Sequence, residues 1–181
     1  MGAQPPNLAA MTHPAPQITQ FKQTLGDVRK RLFEDGVRAA VIHLNGLTGF
    51  RFTALYRFGE SAVSSVFFYD RLHPTVVTSP EIPLISAYCK EVQEHGRAFC
   101  TTSGLSTAQA NAPQSRVQSF CGVPLIDSEG SMFGTLCHFD FAARSLDPHH
   151  IELMQSVAEL LREHDRFVLA QLELAGKRRW D

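Results

Sequence analysis

Between Phe120 and Leu146 the chain reads FCGVPLIDSEGSMFGTLCHFDFAARSL, and few folds accept that order of signals. Cys121, Val123 and Leu125 alternate with Gly122, Pro124 and Ile126, and Asp127 to Gly130 supplies turn residues. On the return, Phe133, Thr135, Cys137 and Phe139 alternate with Gly134, Leu136 and His138. A period of two on both sides of a glycine-containing turn predicts a β-hairpin. Asp147 then offers a side-chain oxygen to the free amides of a helix with Pro148 in its first position, and Leu146 and Ile151 suit a hydrophobic staple across that cap.

The rest of the chain repeats these signals. Residues 1–16 carry four prolines and little apolar periodicity, which predicts a disordered tail. Ile18, Phe21, Leu25, Val28 and Leu32 form one apolar helical stripe that stops at Gly36. Val37 to Leu44, rich in valine and isoleucine, reads as a strand. Phe52 to Phe58 and Ala62 to Tyr69, joined through Gly59-Glu60, read as a second hairpin. A short helix from about Pro83 to His95 precedes a brief strand near Arg97 to Thr101. Thr102 to Ser119 has no convincing period apart from one helical turn near Thr107 to Asn111; a connection of that length is usually a functional loop. Hairpins joined through helices predict an α+β domain with an antiparallel sheet. We assign 17–176 to this single domain and 177–181 to a basic tail.

Composition excludes several classes. The chain has 181 residues, 44 % apolar and 19 % charged, with a net charge of -1, so no general electrostatic attraction to nucleic acid or anionic membrane is expected. No apolar run is long enough to span a bilayer and no signal peptide is visible, which predicts a cytoplasmic protein. In that compartment Cys89, Cys100, Cys121 and Cys137 are expected to be reduced thiols. Their spacings suggest neither a C-x-x-C motif nor a structural zinc site, and no metal ligand set or catalytic group is assigned. Cys137 and His138 are neighbours on a strand and point to opposite faces, which argues against a dyad; His138 with Cys121 across the hairpin is the alternative. His149 and His150, in the first turn of a helix, are expected to be exposed and neutral.

The segment with Gly122, Pro124, Leu125, the glycine turn, Gly134-Thr135-Leu136-Cys137, Asp140, Arg144, Leu146 and a Leu-rich helix resembles the GAF domain family. Upstream, Ile82-Pro83-Leu84 followed by Ser86, Tyr88 and Cys89 and ending at Gly96 is similar to that family too. The resemblance covers roughly Phe21 to Asp165. It implies a six-stranded antiparallel sheet, with the N- and C-terminal helices on one face and a pocket under the short helix and long loop on the other. It further implies a sensory or regulatory module that binds a small molecule.

Tyr69, Asp70, Tyr88, Cys89, Cys100, Phe120, Cys121, His138 and Asp140 are the candidate ligand-binding residues, since aromatic walls with a few polar groups are usual in small-molecule sites. Each also has a plain structural explanation, such as backbone capping by Asp140. The cofactor is unknown. The extended signature of cyclic-nucleotide-binding members is missing, and the Cys-His pair does not stand where bilin-binding members attach their chromophore. Free methionine sulfoxide reductases of the family make a thiol reductase working through Cys89, Cys100 or Cys121 one alternative; an interaction module with a vestigial pocket is another.

The last helix carries two apolar stripes and, if it runs from Pro148 to about Ala175, spans roughly 40 Å. That length and width suit a homodimer through Ile18, Phe21, Leu25, Leu153, Val157, Leu160, His164 and Phe167, signalling to a separate effector protein. Packing of the same wide stripe inside one chain is the competing expectation.

Overall fold

The computed structural model describes residues 15–80, 82–83, 88–102, 116–127 and 129–163. Helix α1 (Ala15–Asp35) runs to Gly36, whose φ of 89° lies in the left-handed region that glycine adopts most readily. The chain turns there into a second helix, α2 (Val37–Gly46). This corrects the strand expected over Val37 to Leu44. Val37, Ala40, Val41 and Leu44 are buried on one side of α2, a spacing of three and four; β-branched composition suggested a strand, and helical period together with burial decides otherwise.

Next come β1 (Phe52–Phe58), β2 (Ala62–Asp70), the two-residue β3 (Ile82–Pro83), α3 (Cys89–His95), β4 (Phe99–Thr101), β5 (Ser119–Ile126), β6 (Met132–Asp140) and α4 (Pro148–Glu163). The sheet is antiparallel in the order β3-β2-β1-β6-β5-β4. Five strands have three residues or more, and β3 adds only a two-residue pairing to Ala62 and Val63. A sheet of six full strands is therefore more than the described residues contain. Residues 1–14 of the tail expected over 1–16, the turn near 107–111, most of the loop 102–119, and everything expected beyond Glu163, including His164, Phe167 and the basic tail 177–181, lie outside the described residues, while Ala15 and Pro16 begin α1.

Both hairpins form as their turns require. Asp127 Oδ1 accepts from the backbone amides of Glu129 and Ser131 at 2.9 and 2.8 Å, and Gly130 has a φ of 84°. Gly134 lies so close to Tyr56 of β1 that a methyl group on it would run into the Tyr56 carbonyl oxygen. Asp147 caps α4, its Oδ1 accepting from the His149 amide at 2.8 Å, and Leu146 and Ile151 are each partly buried against the core.

The two faces of the sheet are covered unequally. On one, Val28 and Leu32 of α1, Val41 and Leu44 of α2, and Leu153, Met154, Val157 and Leu161 of α4 pack on Leu55, Cys121, Val123, Leu125 and Leu136. On the other, among the described residues, Phe52, Ala54, Tyr56, Val63, Phe68, Phe120 and Cys137 meet Tyr88, Cys89 and Val92 at and in α3, and Val117. Leu153 and Val157, assigned above to a dimer interface, are 4 % and 2 % exposed and packed inside their own chain. Their apolar surface faces the core of this chain. Ile18 remains 44 % exposed, while Phe21, Leu25 and Leu160 pack partly against the same core.

Candidate functional site

The face beneath α3 is built from rings. Phe52 stacks on Phe139 with centroids 4.7 Å apart, and Tyr88 stacks on Phe120 at 5.1 Å. Tyr88 donates its hydroxyl proton to the Val117 carbonyl at 3.1 Å, and burial pushes its pKa up to about 12. The Tyr56 hydroxyl meets Ser79 Oγ at 3.0 Å, and burial raises its pKa further. Cys89 and Cys137 are free and buried. Burial holds the Cys137 thiol well above its ordinary pKa, and the adjoining Cys89 thiol adds to the effect. A protonated thiol in an apolar wall is a poor nucleophile.

At the end of the sheet Asp70 and Asp140 are both engaged. Arg51 grips Asp70 through two hydrogen bonds of 2.8 and 2.7 Å, which lowers the carboxyl pKa and raises that of the guanidinium. Such a fork fixes geometry as well as charge. Asp140 accepts from the Arg51 and Ala142 amides, both at 3.0 Å, and from Arg144 Nε at 3.2 Å. The Arg51 guanidinium also lies 4.6 Å from the centre of the Phe52 ring.

The structure brings only part of the candidate set together. Tyr88, Cys89 and Phe120 belong to the aromatic face, with Asp70 at its end beside Phe52, whereas Asp140, paired with Ser119, falls on the helical side of the sheet. Cys100, Cys121 and His138 stand in one cross-strand row on the opposite, helical face, because Cys100 pairs with Cys121 and Cys121 with His138. His138 in turn is opposite Thr53, and Thr53 opposite Tyr69, which extends the row across the sheet. Cys100 and Cys121 are joined as a disulfide, which corrects the expectation of four reduced thiols. The reason is register: antiparallel neighbours from β4 and β5 bring the two sulfurs together without any C-x-x-C spacing. Cys137 and His138 do point to opposite faces.

A polar chain unrecognised in the sequence runs beneath the helices. Arg71 donates through Nε to Asn45 Oδ1 at 3.0 Å and through Nη2 to the backbone carbonyls of Asn45 and Thr48. Arginine can only donate, so the Asn45 amide nitrogen faces the other way, toward the Phe50 carbonyl at 3.1 Å and Thr53 Oγ1 at 2.7 Å. Thr53 Oγ1 meets His138 Nδ1 at 2.6 Å, and His138 Nε2 meets His150 Nε2 at 3.2 Å. Asn45, Thr53 and His138 are fully buried. Desolvation, helped by His150 and Arg71, holds the His138 pKa well below 6.5. Burial also lowers that of His150, to about 4, against a smaller opposing pull from Asp147. The expectation of an exposed His150 is thereby corrected: the first turn of α4 aims it at the sheet. Spacing shows His150 on that turn, but only the approach of α4 to β6 reveals its partner.

His150 also lines a groove of about 390 Å³ between the starts of α1 and α4, together with Gln17, Gln20, Phe21, Thr24, Leu47, Asp147, His149 and Leu153. A smaller depression of about 240 Å³ lies between α4 and the β4-β5 edge, lined by Arg97, Pro124, Gln155 and Arg162 among others. Among the described residues no helix is long and apolar enough to cross a membrane, and no three His, Cys, Asp or Glu side chains converge as a metal site.

Solved structures share the fold at low sequence identity. The chain is similar to the GAF domain of the Acinetobacter phosphoenolpyruvate-protein phosphotransferase, with 13 % identity, a TM-score of 0.64, and coverage of 87 % of this chain and 98 % of that one. It is similar to free methionine-R-sulfoxide reductase from Neisseria meningitidis, determined with its substrate, at 13 % identity and a TM-score of 0.63, covering 92 % and 98 %. The chromophore-binding domain of a Stigmatella aurantiaca phytochrome gives 14 % identity and a TM-score of 0.63, covering 87 % of this chain and 63 % of that one. A search of curated protein sequences finds no match. The GAF domain family profile matches residues 33–163, from the end of α1 to the end of α4, so that sequence pattern and sheet order agree: the chain belongs to the GAF domain family.

Proposed function

We propose that this domain is a sensory or regulatory module that binds a small molecule on the aromatic face beneath α3 and transmits its occupancy through the terminal helices of a homodimer to a separate effector protein. The observation that carries the reading is the unequal cover of the sheet. Among the described residues, three helices pack one face, whereas the ring-lined face with its two hydroxyls and two thiols is met by the single seven-residue helix α3. Aromatic walls with a few oriented polar groups are the ordinary composition of a small-molecule site. That the similar phytochrome domain binds a chromophore, and that the similar reductase was determined with its substrate, supports a ligand-binding reading. Transmission requires the ligand to favour one packing of the helices over another.

Native mass spectrometry of the protein isolated from its own host tests both parts. The expected spectrum is a dimer carrying a small mass that is lost on denaturation. A bare chain, unchanged after incubation with a metabolite extract of the host, defeats the ligand reading, and a monomer at high concentration in sedimentation defeats the dimer. The Cys100–Cys121 pair favours a second reading, a thiol-dependent reductase working through Cys89, Cys100 or Cys121. Rapid alkylation of one of these thiols in the reduced, native protein, together with turnover of free methionine sulfoxide by a thiol donor, would put that reading first.

A further inference from the structure

The polar chain under the helices ends in a pair of imidazoles whose meeting has no role in the proposed ligand face. His138 comes from the middle of the sheet and His150 from the first turn of α4, and their Nε2 atoms converge to 3.2 Å. A tetrahedral ion with metal–nitrogen bonds of 2.0–2.1 Å places two ligating nitrogens about 3.3 Å apart. The geometry points to a two-histidine seat for a divalent transition metal ion, zinc or a neighbour in its series, held between His138 Nε2 and His150 Nε2 and completed by water from the groove between α1 and α4.

Three features support this assignment. First, the His138 ring is fixed through its other nitrogen, as metal-bound imidazoles are. Its Nδ1 rests on Thr53 Oγ1, which is oriented by Asn45 and, through Asn45, by Arg71. The threonine hydroxyl accepts as well as donates, so the ring proton can sit on Nδ1 and leave Nε2 free for the ion. Second, His150 is half-buried and forms part of the groove wall, which gives an ion a path from solvent. Third, the two ligands come from different elements, so an ion between them would tie the start of α4 to β6. With only two protein ligands the affinity expected is modest, and imidazole suits zinc, copper and nickel better than magnesium or calcium.

Calorimetric titration of the untagged, chelator-treated protein with Zn²⁺ tests the assignment. One equivalent is expected to bind, with a dissociation constant at least about tenfold weaker in His150→Ala and little changed in His149→Ala. His149 is the informative control because, with Glu152 3.5 Å away, it offers a competing surface site. Replacing buried His138 risks the fold, so its role is read in the wild-type protein from ring ¹⁵N shifts, which should move on Zn²⁺ addition for His138 and His150. Three results overturn the seat: no binding in excess Zn²⁺, binding that survives His150→Ala, or shifts confined to exposed histidines such as His73 and His95.

Discussion

At the scale of single residues, the chemistry of the helical face turns on groups that are polar, buried and satisfied in one direction. Asn45 is the pivot, since Arg71, Phe50 and Thr53 all depend on it. Asn45→Leu keeps much of the volume but strands several buried partners, and should lower stability by at least about 2 kcal/mol in urea denaturation; a neutral result would mean that water replaces the amide. Protonation adds a pH signature. His138 and His150 have folded pKa values depressed below 6.5, so the unfolded chain takes up protons first as pH falls. Stability should hold above about pH 6.5 and decline toward pH 4. Asp70, whose pKa is lowered by Arg51, acts in a separate window: its contribution is present above 3.8 and lost as pH falls through the folded value. Denaturation midpoints at pH 7.5, 6 and 5 should therefore decrease in metal-free protein, and the decrease should shrink in His150→Ala. A flat profile over that range contradicts the buried neutral pair.

At the scale of elements, legibility followed how much of each signal is local. The β5-β6 hairpin and the Asp147 cap are legible because alternation, turn glycine and cap oxygen all lie within a few residues of one another. Helix α2 looks like a strand in the sequence although its buried positions, Val37, Ala40, Val41 and Leu44, follow a helical period. A short apolar stretch fits both templates, and packing against α1 and β1 decides between them. Gly134 shows the converse, a local residue with a non-local cause. It is glycine because β1 passes over it, so Gly134→Ala should cost about 1–3 kcal/mol in thermal or urea denaturation. An unchanged midpoint would show that the two strands can separate slightly without loss.

At the scale of the whole molecule, the cross-strand disulfide and the unequal cover of the two faces are the properties that sequence spacing could not convey. Cys100 and Cys121 close a loop 21 residues apart in sequence, for which a chain-entropy argument gives about 3 kcal/mol of stabilisation. The paired Cys100→Ser, Cys121→Ser variant should lose stability of that order relative to oxidised protein and match the reduced wild type; alkylation of all four thiols without prior reduction would show that the bond does not form. The sequence alone determined the α+β class, the antiparallel hairpins, the start of the last helix and the family, because these rest on periodicity and on turn and cap chemistry within short stretches. Only the tertiary structure decided which candidate residues share a face. A strand sends neighbouring side chains to opposite sides, and pairing register then selects partners far apart in sequence. Tyr88, Cys89 and Phe120 thus stand apart from Cys100, Cys121 and His138, and His150 finds His138 only when α4 folds back over the sheet.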